Sequence, residues 1–187
     1  MITLEQPSMA LNSDEISWSK ILMERCWNVP RTETRDQIIT WVQTIAKGNK
    51  GGKIKNLVIN CHGLPGWVGI GQGFNSTHLG MFHAWNGYVE NIWFVACLVA
   101  KIPNATEQKN YDKTYAGFGV SDGNIFCSTL AKTVGCYVVA PTEEQRNKGG
   151  YDLYQLPAYE GLLRCYNPQG GLSWSQSYPS DWGANKE

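Results

Sequence analysis

The chain has 187 residues, with 16 basic and 16 acidic side chains, so its formal net charge is zero. This balance argues against a nucleic-acid-binding protein, because neutralising phosphate groups requires a surplus of positive charge. Charged residues make up 17% of the chain and hydrophobic residues 42%, a composition that argues against disorder and against a coiled coil. The length predicts a single domain over 1–187, with 1–30 as an extension or edge strand and 177–187 as a tail.

Neither a membrane span nor a secretory signal peptide is expected. No apolar run approaches the ~18 residues that a membrane span requires. The amino-terminal segment lacks the basic stretch and the long apolar stretch of a signal peptide. The six cysteines form no C-x-x-C pair and most lie in apolar runs, so we expect reduced thiols and cytoplasmic synthesis. Secretion without a signal, as an effector, is compatible with the same features. The cysteines are Cys26, Cys61, Cys97, Cys127, Cys136 and Cys165.

The first elements along the chain are a short strand and a helix. Residues 16–23 predict an edge strand. Thr34 and Gln37 have the spacing of a capping box, and apolar residues repeat on one face of the helix that follows. Gly48 ends this helix. The apolar face consists of Ile38, Trp41, Val42 and Ile45.

The rest of the chain alternates strands with helices. Short apolar runs predict buried strands at 56–60, 91–96 and 137–140. Helices are expected at 77–85 and 124–134, loops at 63–73 and 101–123, and a hairpin of strands 161–166 and 171–176. Strands that are apolar throughout and alternate with helices predict an α/β fold with a mostly parallel sheet.

The residues that follow the first two apolar strands are the ones that suggest chemistry. Cys61, His62 and Gly63 follow the strand at 56–60, and Cys97 follows the strand at 91–96. In such sheets the active groups gather at the carboxyl ends of the strands. Neighbouring parallel strands lie ~4.8 Å apart, so His62 and Cys97 are expected to face one cleft.

A cysteine beside a histidine has a chemical logic. A thiol with a pKa of ~8.5 is only slightly ionised at neutral pH, and an imidazole can accept its proton and later protonate a leaving group. The main-chain N–H of Gly63 could stabilise an oxyanion. Cys61, Cys127, Cys136 and Cys165 are interpreted as core residues, Cys61 because side chains alternate along a strand.

Three segments carry a resemblance to a known family: LVINCHGLPGWVGIG, NIWFVACLVA and FCSTLAKTVGCYVVAPT. Over 54–142 the chain resembles the caspase-like cysteine peptidases, which include caspases, metacaspases, gingipains, clostripain, separase and the self-cleaving protease domains of bacterial toxins. The last segment also resembles CHAT domains. The resemblance implies a three-layer sandwich with helices on both faces of the sheet and a C-terminal β-hairpin.

The same resemblance implies a cysteine endopeptidase that cleaves a peptide or protein substrate without a cofactor. Cys97 would be the nucleophile, His62 the general acid and base, and the Gly63 N–H part of the oxyanion hole. A bacterial toxin, effector or self-processing domain fits this group. Cys97 is followed by Leu98, without the Arg-Gly of caspases, and no specificity pocket is identifiable. A catalytically inactive caspase-like or CHAT-like interaction domain is the alternative function.

Other patterns predict less. The segment 119–123 matches G-x-S-x-G, but no histidine follows it, as an α/β-hydrolase requires, so Ser121 is interpreted as part of a loop before a helix cap. Cys26 precedes Trp27 as in papain-like peptidases, where the nucleophile opens a helix, yet Pro30 follows four residues after Cys26, and the residue before a proline disfavours a helix. Cys61, His62 and Cys97 could converge on zinc, but a fourth ligand is not evident, and no metal is expected. His78 and His83 are expected to be surface or packing residues.

A run of lysines before the first apolar strand is the remaining pattern. Toxin protease domains hold inositol phosphate on a basic surface, and a cluster of this kind precedes residue 56. A lysine run is more often a solvated loop, and this is the interpretation we adopt. The cluster is Lys47, Lys50, Lys53 and Lys55. The sequence does not indicate the oligomeric state.

Overall fold

The computed structural model describes residues 2–16, 18–146 and 149–179. The strands, in chain order, are β1 (Ile2–Thr3), β2 (Ser8–Ser13), β3 (Arg25–Val29), β4 (Ile54–Asn60), β5 (His62–Leu64), β6 (Trp67–Gly69), β7 (Phe74–Asn75), β8 (Val89–Val95), β9 (Tyr137–Pro141), β10 (Gln155–Leu156), β11 (Gly161–Tyr166) and β12 (Leu172–Tyr178). The α-helices are α1 (Arg35–Gly48), α2 (Ala105–Thr114) and α3 (Gly123–Val134). Two 3-10 helices cover Asp14–Ile16 and Ser76–Trp85.

A sheet of seven strands organises the protein, in the order β12-β11-β9-β8-β4-β2-β3. Five neighbouring strands of this sheet, β3, β2, β4, β8 and β9, pair in parallel, whereas β11 pairs antiparallel with both β9 and β12. The predicted α/β fold with a mostly parallel sheet is confirmed. The three predicted apolar strands become β4, β8 and β9, which lie side by side in this sheet.

The helices begin and end where their capping residues lie. The Gln37 N–H donates to the Thr34 side chain at the start of α1, as the capping-box spacing predicts. The Asp122 side chain accepts from the Ile125 N–H at the start of α3. Gly135, whose φ is 71°, ends α3 in a left-handed conformation that glycine adopts without steric cost. These local signals explain why both helices are recognisable in the sequence.

The buried hydrophobic residues of α1, α3 and the 3-10 helix Ser76–Trp85 join one core cluster, on one face of the sheet. Side chains alternate along β4, so Leu57 and Ile59 face this cluster and Val58 faces the opposite one. The second cluster is covered by residues such as Ile21, Met23 and Leu156, which lie outside any helix. The resemblance implies helices on both faces, but these three helices lie on one face, and segments outside any helix, including the short strand β10, bury the other.

Several other predictions differ from the structure. Within 16–23, no described residue belongs to a strand, and Ser17 lies outside the described residues; β3 is the edge strand instead. Residues 8–13 form β2, which lies inside the sheet, so the first 30 residues are part of the fold. Trp41 of the predicted apolar helix face is 46% exposed. The predicted loop at 101–123 contains α2, and the loop at 63–73 contains most of the small sheet β5-β6-β7.

The carboxyl-terminal region contributes an antiparallel pair to the sheet. Gly161 of β11 pairs with Tyr178 of β12, and a turn at 167–171 connects the two strands. Of the predicted tail, Ser177 and Tyr178 belong to β12, and residues 180–187 lie outside the described residues.

Candidate active site

His62 and Cys97 follow neighbouring parallel strands at the same edge of the sheet. Asn60, the last residue of β4, pairs with Val95, the last residue of β8. His62 comes two residues after Asn60 and Cys97 two residues after Val95, so the register places them at equivalent positions. Both residues line one cavity of about 210 Å³. The structure therefore brings together the two residues that the sequence singled out for chemistry.

The thiol of Cys97 is half-buried and contacts a loop that follows β9. The main-chain N–H of Gln145 donates to Cys97 Sγ at 3.3 Å, and the Gln145 carbonyl lies 3.8 Å from the same atom. Burial raises the pKa of the Cys97 thiol, the Gln145 N–H opposes this rise, and the nearby charges of Glu144 and Glu160 add to it. In this structure the thiol is consequently protonated at neutral pH.

The chain turns sharply immediately after Cys97. Leu98 has a φ of 61°, in the left-handed region that a branched side chain occupies at a cost of ~1–3 kcal/mol. The turn is held by hydrogen bonds from the Leu98 N–H to the Glu143 carbonyl and from the Ala100 N–H to the Pro141 carbonyl, both at 3.0 Å. This strained turn fixes where the Cys97 side chain emerges from the end of β8.

His62 is exposed and opens the small strand β5. Among the described residues it takes part in no side-chain hydrogen bond or ion pair, so nothing there holds its ring in one orientation. It lines the 210 Å³ cavity and also a larger cleft of about 910 Å³. His62 therefore lies where the two openings meet, and Cys97 lies on the side of the smaller one.

Gly63 lies against the backbone of Cys97. A Cβ atom added at Gly63 would stand 2.4 Å from the Cys97 carbonyl oxygen, 3.0 Å from Val99 Cγ2 and 3.1 Å from Ala96 Cβ. A side chain would not fit at these distances. Glycine at this position lets the start of β5 approach the turn after β8, which brings the His62 segment to the Cys97 segment.

The larger cleft combines an aromatic wall with charged residues. The rings of Trp67 and Phe118 meet edge to face with centroids 4.7 Å apart. Arg35 uses Nε and one terminal nitrogen to donate to the Gly73 and Gln72 carbonyls. The cleft is open and is lined by residues of β5 and β6 beside these aromatic rings, features that suit an extended peptide.

A buried polar network forms the base of the smaller cavity. The Asn60 amide donates to Asn12 Oδ1 at 2.8 Å and to the Ser19 carbonyl at 2.7 Å. Asn12 in turn donates to the Ile21 carbonyl and accepts from the Ile21 N–H. These bonds hold the segment at 19–21 across the ends of β2 and β4, so that Ser19 and Trp18 line the cavity.

Sequence reasoning missed Trp18, Ser19 and Gln145 as neighbours of the candidate site. Trp18 and Ser19 lie in a segment without regular periodicity, and Gln145 follows the third apolar strand by four residues. The only signal in the sequence was the polar residue Asn60 at the end of an apolar strand. A buried amide in that position needs hydrogen-bond partners from elsewhere in the chain.

Cys61 is buried beside the cavity. Burial raises the pKa of its thiol to about 12, against a weaker opposing effect of the Gly69 N–H, and the charge of Cys97 adds to the rise. Cys127, Cys136 and Cys165 are also buried, as predicted. All six cysteines are free thiols. The described part of the chain contains no cluster of three or more His, Cys, Asp or Glu side chains that could hold a metal ion.

The alternative serine and cysteine patterns have structural explanations. Ser121 Oγ and Ser76 Oγ share a hydrogen bond of 2.7 Å, and Asp122 caps α3, which agrees with the loop-and-cap interpretation of 119–123. Cys26 lies in β3, not at the start of a helix, and its Sγ accepts from the Met23 N–H. These residues are not part of the cavity that His62 and Cys97 share.

The predicted surface residues are engaged with their neighbours. His78 Nδ1 accepts from the Asn75 N–H at the start of the 3-10 helix. Lys47 lies over the ring of Tyr88, whereas Lys53 and Lys55 pair with Glu90 and Glu5. Three of the four clustered lysines thus have partners on the protein surface.

Within the described residues, no helix is both long enough and apolar enough to cross a membrane. Comparisons with protein-family models, with curated proteins and with solved structures found no match to this chain.

Proposed function

We propose that the protein is a cysteine-dependent hydrolase of the caspase-like type, an endopeptidase in which His62 and Cys97 form a catalytic dyad. The observation that carries the proposal is the shared cavity, which places an imidazole and a thiol at the ends of two adjacent parallel strands. The strained turn at Leu98 supports it, because backbone strain of this kind clusters at functional sites. The mostly parallel sheet agrees with the fold that the resemblance implies.

The proposed reaction begins with transfer of the Cys97 proton to His62. The resulting thiolate attacks the carbonyl carbon of the scissile bond, and the carbonyl oxygen becomes an oxyanion that the Gly63 N–H stabilises. The imidazolium then protonates the departing amine, leaving an acyl group on Cys97. Water, deprotonated by His62, hydrolyses this thioester and restores the thiol.

The resting thiol is poorly ionised, because burial raises its pKa. In the proposed mechanism the bound substrate brings His62 into place and the proton leaves Cys97 only in that complex. Apo structures often show such catalytic contacts as long or unformed. The exposed and unrestrained position of His62 is compatible with this movement.

The contact between the half-buried Cys97 thiol and the Gln145 N–H favours a second candidate function, a catalytically inactive domain that binds protein partners through its clefts. In that case the thiol at Cys97 serves only to pack against the loop at Gln145. The two candidates differ in one measurable property, which is whether peptide cleavage depends on Cys97.

A peptide-library experiment tests the proposal. The wild-type protein and the variants Cys97→Ala, His62→Ala and Cys26→Ala are incubated with a pool of synthetic peptides, and mass spectrometry locates the cleaved bonds. We expect cleavage by the wild type, none by Cys97→Ala, and a loss of ~10²–10⁴-fold in His62→Ala, the range for removal of a general acid or base. Cys26→Ala is the matched control, because Cys26 is exposed and lies outside the site. Cleavage that persists in Cys97→Ala, or no cleavage by any protein in the set, contradicts the proposal.

A further inference from the structure

The cavity next to Cys97 contains a buried hydroxyl group without a partner. Ser19 is 0% exposed and lines the cavity, and its Oγ has no hydrogen-bond partner within the part of the chain that the structure describes. An unsatisfied buried polar group costs free energy, so most such groups in folded proteins are bonded. A group supplied by a ligand in the cavity would remove this cost.

The amide of Gln145, another polar group of the cavity, is already used. Its nitrogen donates to the carbonyls of Glu143, Glu144 and Glu160, and its oxygen accepts from the Glu160 N–H. The side chain therefore serves to tie the loop after β9 to the segment before β11. It does not offer the same unused hydrogen-bonding capacity as Ser19.

No Asp, Glu, Lys or Arg is among the described residues that line the cavity, whose wall also includes Ile16, Val95 and Ala96. The lining itself offers a charged substrate side chain no ion pair in exchange for its hydration, and the nearest acidic groups, Glu144 and Glu160, act on Cys97 from outside the lining. Trp18 lies at the cavity with 67% of its surface exposed, and a large exposed indole at a cavity is typical of a binding site. The cavity thus suits an uncharged side chain that has a hydrogen-bonding group at its end.

We infer that this cavity is the primary specificity pocket of the proposed peptidase. It takes the carboxamide side chain of an asparagine or glutamine that precedes the scissile bond. Ser19 is the specificity-determining residue of this pocket. The inference rests on the proposed function, because only a peptidase has a scissile bond. The preference of the cavity for an amide side chain is a separate property that binding can test. The Ser19 hydroxyl donates to the amide oxygen of the substrate side chain or accepts from its amide nitrogen, and the Trp18 indole packs against the methylene groups of that side chain.

Covalent probes test the preference. Peptidyl acyloxymethyl ketones are prepared that differ only in the first residue, which is Asn, Gln, Met, Lys or Glu. The Cys97 thiolate displaces the carboxylate leaving group, so a C–S bond forms as the C–O bond breaks, and intact mass reports the labelling rate. We expect the Asn or Gln probe to react fastest, and Ser19→Ala to slow that probe about two- to tenfold while the Met probe keeps its rate, the loss that corresponds to one neutral hydrogen bond. Cys97→Ala shows that the label resides on Cys97.

A binding measurement separates this inference from the proposed function. The unreactive peptides with Gln or Met at the same position are titrated into Cys97→Ala protein, with and without Ser19→Ala. Preference for the Gln peptide that Ser19→Ala abolishes supports the pocket even if no probe labels Cys97, in which case the peptidase proposal alone fails. Labelling of Cys97 at equal rates by all probes, or fastest labelling by the Lys or Glu probe, overturns the pocket and leaves the dyad. Absence of both labelling and any binding preference overturns both.

Discussion

Replacing Gly63 with alanine tests whether the close approach of β5 to the turn after β8 holds the candidate site together. The new Cβ would stand 2.4 Å from the Cys97 carbonyl oxygen, and ordinary contacts between such atoms begin at ~3.4 Å. The backbones of β5 and of the turn after β8 must therefore separate by about 1 Å. The Cys97 oxygen cannot move aside alone, because it belongs to the main chain. Val99 Cγ2 and Ala96 Cβ, at 3.0 and 3.1 Å from the new Cβ, would also be closer than ordinary contact.

The expected cost follows from overpacking. An extra methyl group in a well-packed interior costs ~1–3 kcal/mol, and for a domain of this size each kcal/mol lowers the melting temperature by about 2–4 °C. We expect Gly63→Ala to melt between about 2 and 12 °C below the wild type. The separation of Cys97 from His62 that accompanies the shift should lower peptide cleavage by ~10²-fold, the effect of a misplacement of about 1 Å.

Gly80→Ala is the matched control for this substitution. Gly80 lies in the 3-10 helix, and a Cβ there has no atom within 4 Å. The control should melt at or slightly above the wild-type temperature, because alanine restricts the unfolded chain more than glycine does. Differential scanning calorimetry measures both variants. If Gly63→Ala melts as the wild type does while Gly80→Ala behaves as expected, the reasoning about the contact between β5 and Cys97 is refuted.

The remaining predictions concern the thiols and the start of α3. Because burial raises the pKa of Cys97, iodoacetamide should label it slowly at pH 7 in the native protein, and the labelling rate should still be increasing above pH ~9. The exposed Cys26 should react first. Peptide mapping by mass spectrometry measures both rates, and fast labelling of Cys97 at pH 7 would contradict the structure. Burial raises the pKa of Cys136 to about 12, so the folded state keeps a proton that the unfolded state loses above pH ~9. The stability that this group contributes is therefore fully present below pH ~9 and falls by ~1.4 kcal/mol per pH unit up to pH about 12. Urea unfolding of the wild type from pH 9 to 11 should show a steeper loss of stability than that of Cys136→Ala, and equal slopes would contradict the assigned cause. Asp122→Ala should lower the free energy of unfolding by ~0.5–2 kcal/mol, because it removes the cap of α3. Ser121→Ala should cleave peptides as the wild type does, and a loss of cleavage in this variant would revive the serine hypothesis.

Much of the parallel core was predictable because its signals are local. The strands β4, β8 and β9 are runs of apolar residues between turn residues, and such runs have few alternatives to a buried strand. The helices α1 and α3 begin at side chains that cap their own backbone, so their starts follow from three or four neighbouring residues. The helix α2 was missed because none of its residues is buried, and without an apolar face its periodicity carries no signal.

The strand β2 shows why other parts of the fold were not predictable. Its sequence, SMALNS, contains three polar residues, yet all six residues are buried inside the sheet. Asn12 is accepted there because Ile21 and Asn60 supply its hydrogen bonds, and these partners lie 9 and 48 residues away in the chain. A polar residue therefore predicts exposure until the distant partners are known.

The sequence by itself determined that His62 and Cys97 each follow a buried strand, because those strands are recognisable from local apolar patterns. The tertiary structure decided that β4 and β8 are neighbours in register, so that the two residues share a cavity. It also decided that the raised pKa of Cys97 comes chiefly from burial and that Ser19 lines the cavity without a hydrogen-bond partner. Both results depend on contacts between segments far apart in the chain, because burial and hydrogen bonding are properties of the packed protein and not of any short stretch of residues.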